Sequence, residues 1–290
     1  MKKNKTVLQK LRKLQQINNL PTLPTVATQL LEMLGEEMVS INDISKLMER
    51  DPAITAQILK VSNSAYYGLR KEIDTVPRAL IVLGVNEIAN IILSLSLFKT
   101  FTNVDDTEFD IKTFWKHSGV VAYLSRFLAR EFELDTHGEE FTAGLMHDLG
   151  KIILDQYYHD DYKEVIKEMR NLKLTSSEAE KNVLGFNHAK VGNWLSKKWR
   201  IPKNISKAIL YHHDPNNCSE PLLPTLVNIA DNMVIDFHIH QKFLIKRNKY
   251  EDNPNYNLIN IDNDKIASEE FRDKIKGEID KALEFVAVLF

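Results

Sequence analysis

Helical periodicity is the feature of this sequence that most constrains its fold. Apolar residues recur at intervals of three and four along most of the 290 positions, and Val26, Leu30, Leu31 and Leu34 illustrate the pattern. Only short β-rich pieces occur, without sustained alternation of apolar and polar residues and without Asn-Gly turns. The sequence therefore predicts an all-α fold.

Capping signals and polar runs divide the predicted helices into segments. Asp51 followed by Pro52 is typical of an N-cap and first helical turn. The polar run over residues 103–110 indicates an internal boundary. The sequence therefore predicts three segments: a basic N-terminal arm over residues 1–17, a helical subdomain over residues 18–104, and a second helical subdomain over residues 105–290.

Two further predictions concern the second subdomain. Residues 139–157 keep a helical apolar period and are predicted to form one helix. Residues 242–264 are rich in Asn, Asp and Lys, which predicts a surface loop or insertion.

Charge and cysteine content narrow the classes of function. The 38 Lys and Arg residues nearly balance 40 Asp and Glu residues, giving a formal net charge of -2. This balance gives no support to a general attraction for nucleic acid or anionic lipid. The single cysteine, Cys218, cannot form an internal disulfide, which fits a reducing compartment. A cytoplasmic protein without general nucleic-acid binding is therefore expected.

The most apolar stretch, over residues 79–98, is the one candidate for a membrane span. Gly84, Asn86, Glu87 and Asn90 interrupt it, whereas a spanning helix needs about 20 largely apolar residues. The stretch is better interpreted as a core helix, and no membrane association is expected. The N-terminus also lacks an apolar segment followed by a small-residue cleavage site.

Histidine and aspartate residues form the main chemical pattern of the sequence. His147 and Asp148 are adjacent in the run Gly-Leu-Met-His-Asp-Leu-Gly-Lys. Neighbouring side chains chelate one cation only where a helix end is splayed or a third element closes over it, so the pair alone is weak evidence. Further candidate ligands lie on other predicted helices: His117, His188, His212, His213 and Asp231.

Mixed imidazole and carboxylate ligands suit a divalent cation such as Fe, Mn, Ni, Zn or Mg, and Asp148 could bridge two of them. The sequence does not choose among these metals, nor between one ion and two. Lys151 lies one turn beyond Asp148, where its ammonium group could neutralise a phosphate; an ordinary surface lysine is an equally open interpretation.

The order of these residues resembles known families. His117, His147-Asp148 and Asp231 resemble the H…HD…D signature of the HD metal-dependent phosphohydrolase superfamily, and the added histidines are similar to the extended set of HD-GYP phosphodiesterases. The front half is more specific. The segment Leu20-Pro-Thr-Leu-Pro and the segments over residues 51–68 and 79–88 are similar to the hallmark segments of the HDOD family, with a likeness extending over residues 18–240.

The HDOD resemblance implies an N-terminal helical subdomain packed on an HD-like helical bundle. It also implies a bacterial cytoplasmic signalling or regulatory module, and many members of that family have lost their metal ligands. This chain keeps a candidate at every ligand position, so a bound metal is expected. After His213 the chain continues Asp-Pro-Asn-Asn-Cys where HD-GYP proteins have a Gly-Tyr-Pro loop, so cyclic-diguanylate hydrolysis is not expected.

Two classes of function remain open. The preferred interpretation is a regulatory module without efficient catalysis, whose N-terminal subdomain binds a protein partner in a signalling pathway. The alternative is a phosphohydrolase or phosphodiesterase that acts on a phosphorylated small molecule or nucleotide, with Asp148 and Lys151 as catalytic residues. In that scheme one ion is held by His117, His147, Asp148 and Asp231, and a second ion by His188, His212 and His213.

Overall fold

A computed structural model describes residues 10, 13–14, 16–17, 20–34, 40–48, 51–101, 110–136, 138–237 and 249–289. These residues form fifteen α-helices, four short 3₁₀ segments and no β-strand. The predicted all-α fold is therefore confirmed for this part of the chain.

The helices fall into a front group, α1 to α5, and a rear group, α6 to α15. Their bounds in chain order are α1 Thr25–Leu34, α2 Ile41–Met48, α3 Pro52–Ser62, α4 Val76–Leu83, α5 Val85–Phe101, α6 Ile111–Glu131, α7 Glu139–Met146, α8 Leu149–Tyr157, α9 His159–Leu172, α10 Ser176–Val183, α11 His188–Lys198, α12 Lys203–Tyr211, α13 Leu222–Asp236, α14 Asn263–Ala267 and α15 Glu269–Leu289.

Local sequence signals set the helix ends in the front group. The Asp51 carboxylate accepts hydrogen bonds from the backbone N–H groups of Ala53 and Ile54, both at 3.1 Å, and Pro52 occupies the first helical position of α3. Gly84 separates α4 from α5 with φ of 89°, a backbone conformation that favours glycine.

No single helix in the described part of the chain is long and apolar enough to cross a membrane. Helices α4 and α5 satisfy the length and composition criterion only when taken together, and they are bent by 117°.

Helix α6 lies at the centre of the rear group, where it packs against α7, α13 and α15. Its contact with α7 is close, because a Cβ atom added at Gly144 would lie 2.7 Å from the Ala122 Cα atom. The front group meets the rear group through α5, which packs against α7 and α15. Helix α7, which leads to His147, therefore contacts both groups.

The described residues of the basic arm lie against the rear group. The Lys10 ammonium group is 2.7 Å from the Asp161 carboxylate, and the Tyr158 hydroxyl donates a hydrogen bond to the Lys10 carbonyl. Leu14 is buried. The polar run over 103–110 lies outside the described residues apart from Asp110, so the boundary at residue 104 stays a prediction.

The structure differs from the predicted surface loop in residues 249–264, and the alternative prediction of an insertion near residues 242–264 stays a prediction. Residues 242–248 lie outside the described residues, but residues 249–264 do not form a surface loop. They form the 3₁₀ segments Tyr250–Asp252 and Pro254–Ile259, which pack against α13. The Tyr250 and Tyr256 side chains are fully buried. The polar composition of this stretch misled the prediction because its asparagines bond to one another and to α13.

The predicted single helix over residues 139–157 is also wrong. The chain forms two helices, α7 and α8, and leaves the regular helical path at His147 and Asp148. This is the splayed helix end that adjacent ligands require.

Candidate metal centre

The seven side chains predicted as metal ligands lie together in the structure, although they come from distant parts of the chain. Each approaches at least one other member of the set through a possible ligand atom. Their role as ligands stays a prediction. They are His117 from α6, His147 and Asp148 from the α7–α8 break, His188 from the start of α11, His212 and His213 from the end of α12, and Asp231 from α13.

Asp148 is the central residue of the cluster. Its Oδ2 atom lies 3.3 Å from His147 Nε2 and 3.7 Å from His117 Nε2. Its Oδ1 atom lies 3.1 Å from His188 Nε2 and 4.0 Å from His212 Nε2. The two carboxylate oxygens therefore face different sets of imidazoles.

These contacts define two groups of possible ligands. In the first group, one ligand atom each from His117, His147 and Asp148 lies within 4.8 Å of the others. Asp231 adjoins this group, because its Oδ1 atom is 3.2 Å from His117 Nε2.

The second group consists of His188, His212 and His213, whose ligand atoms satisfy the same 4.8 Å limit. His188 Nε2 lies 3.4 Å from His212 Nε2 and 2.8 Å from His213 Nε2. Both groups have the size and composition of a divalent-cation site.

Backbone carbonyl groups orient two of the imidazoles. His147 Nδ1 lies 2.7 Å from the Gly144 carbonyl oxygen, and His212 Nδ1 lies 2.8 Å from the Ile209 carbonyl oxygen. A carbonyl oxygen only accepts, so each Nδ1 donates its proton. In the neutral imidazole, Nε2 then carries the lone pair. Both Nε2 atoms are therefore available to bind a cation at the centre.

Glu180 orients His188 and is a residue that the sequence analysis missed. It lies on α10, is fully buried, and accepts from both the backbone N–H and the Nδ1 atom of His188, at 2.7 Å and 2.6 Å. A carboxylate behind a metal-ligating histidine fixes the ring and raises its basicity. In the sequence, Glu180 is an acidic residue on the predicted helix before His188. Nothing distinguishes it there from an ordinary solvent-exposed glutamate.

Unsatisfied polar atoms show that these residues fit a bound cation. Asp148 Oδ1 and His147 Nε2 are buried and have no hydrogen-bond partner among the described residues. His188 Nε2 directly faces two other imidazole nitrogens. A proton on His213 Nε2 would satisfy its contact with His188. Bound divalent cations would satisfy that contact and also the two unpaired atoms, Asp148 Oδ1 and His147 Nε2. The nitrogen-rich donor set suits Fe, Mn, Ni or Zn better than Mg.

The protonation states of three residues also favour a cation. Burial lowers the pKa of His212 to about 3, with help from the neighbouring His147 and His188, and burial holds the pKa of His213 well below its usual range. Burial alone would raise the pKa of Asp148, but nearby His147 and Lys151 outweigh it and lower the pKa well below the ordinary value. Neutral imidazoles and an ionised carboxylate are the forms that bind metals.

Two other histidines have a raised pKa. Burial acts to lower the pKa of His147 and His188, but it is outweighed by the Asp148 carboxylate at the first and by the Glu180 carboxylate at the second. The cluster therefore contains enough negative charge to attract positive charge into a buried site.

Lys151 belongs to the cluster and is not an ordinary surface lysine. Its Nζ atom lies 2.5 Å from Asp148 Oδ2, and only 21% of its side chain is exposed. Burial acts to lower the pKa of Lys151, but the Asp148 carboxylate outweighs it and the pKa is raised. The side chain therefore places a positive charge at the edge of the centre.

Across the described residues, an all-helical fold in which distant histidines and aspartates converge on one carboxylate defines the class of this protein as a helical protein with a candidate metal centre. The HDOD domain matches residues 20–215, which is more than half of the chain. The chain belongs to the HDOD family.

Comparisons with individual proteins agree with this assignment. An uncharacterized protein of Treponema pallidum is 25% identical over 210 residues, a match that covers 69% of this chain and 39% of that protein. An HDOD domain protein of unknown function from Geobacter sulfurreducens has a TM-score of 0.84 at 22% identity, with 99% of each chain covered. A candidate phosphohydrolase from Shewanella amazonensis SB2B has a TM-score of 0.75 at 21% identity, with 96% of this chain and 98% of that chain covered. At these identities the two structures establish the fold alone.

Proposed function

We propose that this chain is a regulatory module of the HDOD family whose rear helices bind one or two divalent cations. The observation that carries the proposal is the convergence of oriented, buried imidazole Nε2 atoms on both oxygens of Asp148. Binding a cation there would tie α6, the α7–α8 break, α11, α12 and α13 together, because metal binding contributes directly to folding free energy.

The two groups of ligands would hold separate ions. Asp148 would contribute to both sites, because its Oδ2 atom adjoins the first group and its Oδ1 atom adjoins the second. Fe, Mn, Ni and Zn are the expected metals. The first ion would be held by His117, His147, Asp148 and Asp231, and the second ion by Asp148, His188, His212 and His213.

The front helices supply the proposed surface for a protein partner. Ile81 and Val82 on α4 are large apolar side chains that are 71% and 48% exposed, so they are available for contact with a partner. Helix α4 packs against α5, and α5 contacts α7, so this surface is linked to the metal centre through two helix contacts. A cytoplasmic location stays a prediction from the sequence.

Metal analysis of the purified full chain tests the first part of this proposal. We expect one or two equivalents of a transition metal per chain, and a higher melting temperature after reloading a chelator-treated sample. The proposal would be contradicted if none of Fe, Mn, Ni and Zn binds to the chelator-treated protein and none raises its melting temperature.

Hydrogen–deuterium exchange tests the regulatory part. The chelated and metal-loaded forms of the full chain should differ in exchange at α4 and α5, as well as at the ligand-bearing helices, because α5 packs against α7. Changes confined to the rear helices would contradict a module that transmits metal occupancy to its front surface.

A second candidate function is hydrolysis of a phosphate ester, and the position of Lys151 is the observation that favours it. The ammonium group lies beside Asp148 at the edge of the centre, where it could neutralise a phosphoryl oxygen. A bound divalent cation would supply Lewis-acid chemistry and lower the pKa of a coordinated water. Glu180 and the Gly144 carbonyl would keep the His188 and His147 rings in position. The structural likeness to the Shewanella protein supports this candidate at the level of the fold.

Turnover of bis(p-nitrophenyl) phosphate with added Mn or Fe tests this candidate. Lys151→Gln should reduce the rate about 100-fold, because the charge that stabilises the transferring group is lost. The matched control is Lys167→Gln, since Lys167 is 65% exposed and its ion pair among the described residues is with the exposed Glu164. Equal rates for the wild type and the Lys151 variant would contradict a role of Lys151 in hydrolysis, and the absence of metal-dependent turnover by the wild type would leave the regulatory module as the remaining interpretation.

A further inference from the structure

A buried asparagine on α13 contacts the backbone between two of the candidate ligands. Asn228 Nδ2 donates a 2.6 Å hydrogen bond to the carbonyl oxygen of the peptide group that joins His212 to His213. This carbonyl lies just past the last residue of α12, where helix carbonyls lack their usual backbone donors. Asn228 therefore supplies a side-chain donor that ties the end of α12 to α13.

Contacts on the other side of Asn228 fix the orientation of its amide. Its Oδ1 atom accepts hydrogen bonds from Asn253 Nδ2 and Asn255 Nδ2, both at 2.9 Å, and from Asn232 Nδ2 at 3.3 Å. A carbonyl oxygen only accepts, so the amide nitrogen must face His212 and the amide oxygen must face the other asparagines. The Asn228 side chain is thus held between the second group of ligands and the segment that carries Asn253 and Asn255.

This segment also reaches the stretch of chain that follows His213. Asn255 belongs to the 3₁₀ segment Pro254–Ile259, which packs against α13 and against the 3₁₀ segment Pro215–Asn217. Asn255 Oδ1 accepts a 3.0 Å hydrogen bond from Asn216 Nδ2, and Asn216 lies three residues after His213. The chain over residues 212–216 is therefore held at two points.

The position of this stretch matters because the second group takes two adjacent ligands from it. His188 Nε2 lies 3.4 Å from His212 Nε2 and 2.8 Å from His213 Nε2, so the three possible ligand atoms lie close together. Successive side chains of a helix point about 100° apart, so neighbours converge on one cation only where the backbone leaves the helix in a fixed way. A binding site must also be held within about 0.5 Å of its productive geometry.

We propose that Asn228 is a positioning residue for a cation in the second group of ligands, and that Asn253 and Asn255 keep its amide in place. The inference rests on the proposed function, because it concerns the second of the two proposed ions. Asn228 acts through the His212 carbonyl and not as a ligand. The packing of residues 250–259 on α13 and the occupancy of the second group would then favour each other, because coupling between two sites is reciprocal.

Stepwise titration of the chelator-treated full chain with Zn²⁺, in competition with a metal-binding dye, tests this proposal. We expect His213→Ala to lose one of the ions that the wild type binds. Asn228→Ala should weaken the affinity for that same ion about 10-fold or more, the effect typical of outer partners of metal ligands, and leave the other ion unchanged. Added to His213→Ala, Asn228→Ala should have no further effect on the remaining ion. The control variant is Asn182→Ala, which removes an exposed asparagine on α10 that bonds to Glu168.

Asn255→Ala is a second variant, because it removes a donor to Asn228 Oδ1 and leaves the Asn228 side chain in place. It should weaken the affinity for the same ion by a smaller factor. Circular dichroism should show the wild-type helix content for both variants, and Asn255→Ala decides the question if Asn228→Ala does not fold.

Unchanged affinity of the two variants for every ion would overturn the inference and leave the proposed function standing. Equal weakening of both ions would also overturn it, because a general loss of stability would then explain the effect. An ion count unchanged by His213→Ala would overturn it as well, since the second group would then bind no cation. A wild type that binds no Zn²⁺ would instead count against the proposed function itself, and the inference would fail with it.

Discussion

Asp148 has a different position from the other candidate ligands, because each of its oxygens faces a separate group of imidazoles. Replacing one histidine removes a ligand from one group. Replacing Asp148 removes a ligand from both. The carboxylate also pairs with Lys151, so its loss leaves a partly buried ammonium group without this partner.

Asp148→Asn should therefore abolish binding at both cation positions. The asparagine keeps the shape of the side chain and loses its charge, so metal content measured by elemental analysis should fall close to zero. Asp273→Asn is the matched control, because Asp273 is 75% exposed and its ion pair among the described residues is with the exposed Lys276. Retention of half the wild-type metal by Asp148→Asn would show that Asp148 does not bridge the two groups.

Glu180→Gln should weaken metal binding without unfolding the protein. Glutamine has nearly the same shape and can still accept from His188, but the charge that raises the basicity of the imidazole is lost. Metal affinity should fall about 10-fold to 100-fold, as is typical for outer partners of ligating histidines. Competition with a metal-binding dye measures this change, and an unchanged affinity would make Glu180 a purely structural residue.

At the residue scale, the sequence predicted the candidate ligands but not Glu180, the residue that orients His188. His117, His147 and Asp148 stand out because imidazole and carboxylate groups follow a known order and spacing. Glu180 does not stand out, because its function depends on contact with His188, and the helix that carries it is otherwise polar. A side chain that acts through a packed neighbour leaves no periodic or local signal.

At the element scale, the contact between α8 and α11 holds the centre together. Gly150 on α8 lies directly against the backbone of α11, so an added Cβ atom would come within 2.0 Å of the His188 carbonyl oxygen and 2.8 Å of the Gly192 nitrogen. Backbone atoms cannot move away as a flexible side chain can. The close approach therefore positions His188 against Asp148.

Gly150→Ala should destabilise the fold by about 3 kcal/mol, the upper range for overpacking, and should also reduce metal affinity by displacing His188. Gly277→Ala is the matched control on α15, since nothing lies within 4 Å of its added Cβ atom. That substitution should stabilise the protein by about 0.5–1 kcal/mol. Urea denaturation measures both changes, and similar midpoints for the two variants would contradict the close packing of α8 and α11.

Some helix boundaries could be predicted from the sequence and others could not, for physical reasons. Asp51 and Pro52 mark the start of α3 because capping depends on adjacent residues. The break between α7 and α8 was missed because Leu145, Met146 and Leu149 continue the helical apolar period across it. No proline or glycine lies at the break itself. Tertiary contacts of His147 and Asp148, which the local sequence does not record, accompany the change in direction.

At the scale of the whole molecule, buried tyrosines make the protein sensitive to alkali. Burial raises the pKa of Tyr67, Tyr123 and Tyr256, and it raises the pKa of Tyr250 to about 12. The ordinary tyrosine pKa is about 10. The folded state therefore holds these protons more tightly than the unfolded state does. Their contribution to stability is complete below about pH 10 and is lost as the pH rises through the folded pKa.

The free energy of unfolding should thus fall steeply above about pH 10. Tyr256→Phe should reduce this loss, because the Tyr256 hydroxyl is buried and has no hydrogen-bond partner among the described residues. At neutral pH the free energy of unfolding of this variant should equal that of the wild type or exceed it by about 1 kcal/mol. Urea denaturation at several pH values measures both effects. A pH dependence identical to that of the wild type would contradict the burial of this hydroxyl.

The position of Asp148 between two groups of histidines also has a consequence for how such a centre decays in evolution. If both groups bind cations as proposed, a lineage that replaces this aspartate would lose both sites in a single step, after which the histidines would be free to drift. Descendants of this fold should therefore fall into two populations, one with the full complement and one in which several of these positions have diverged together, with few half-complete forms between them.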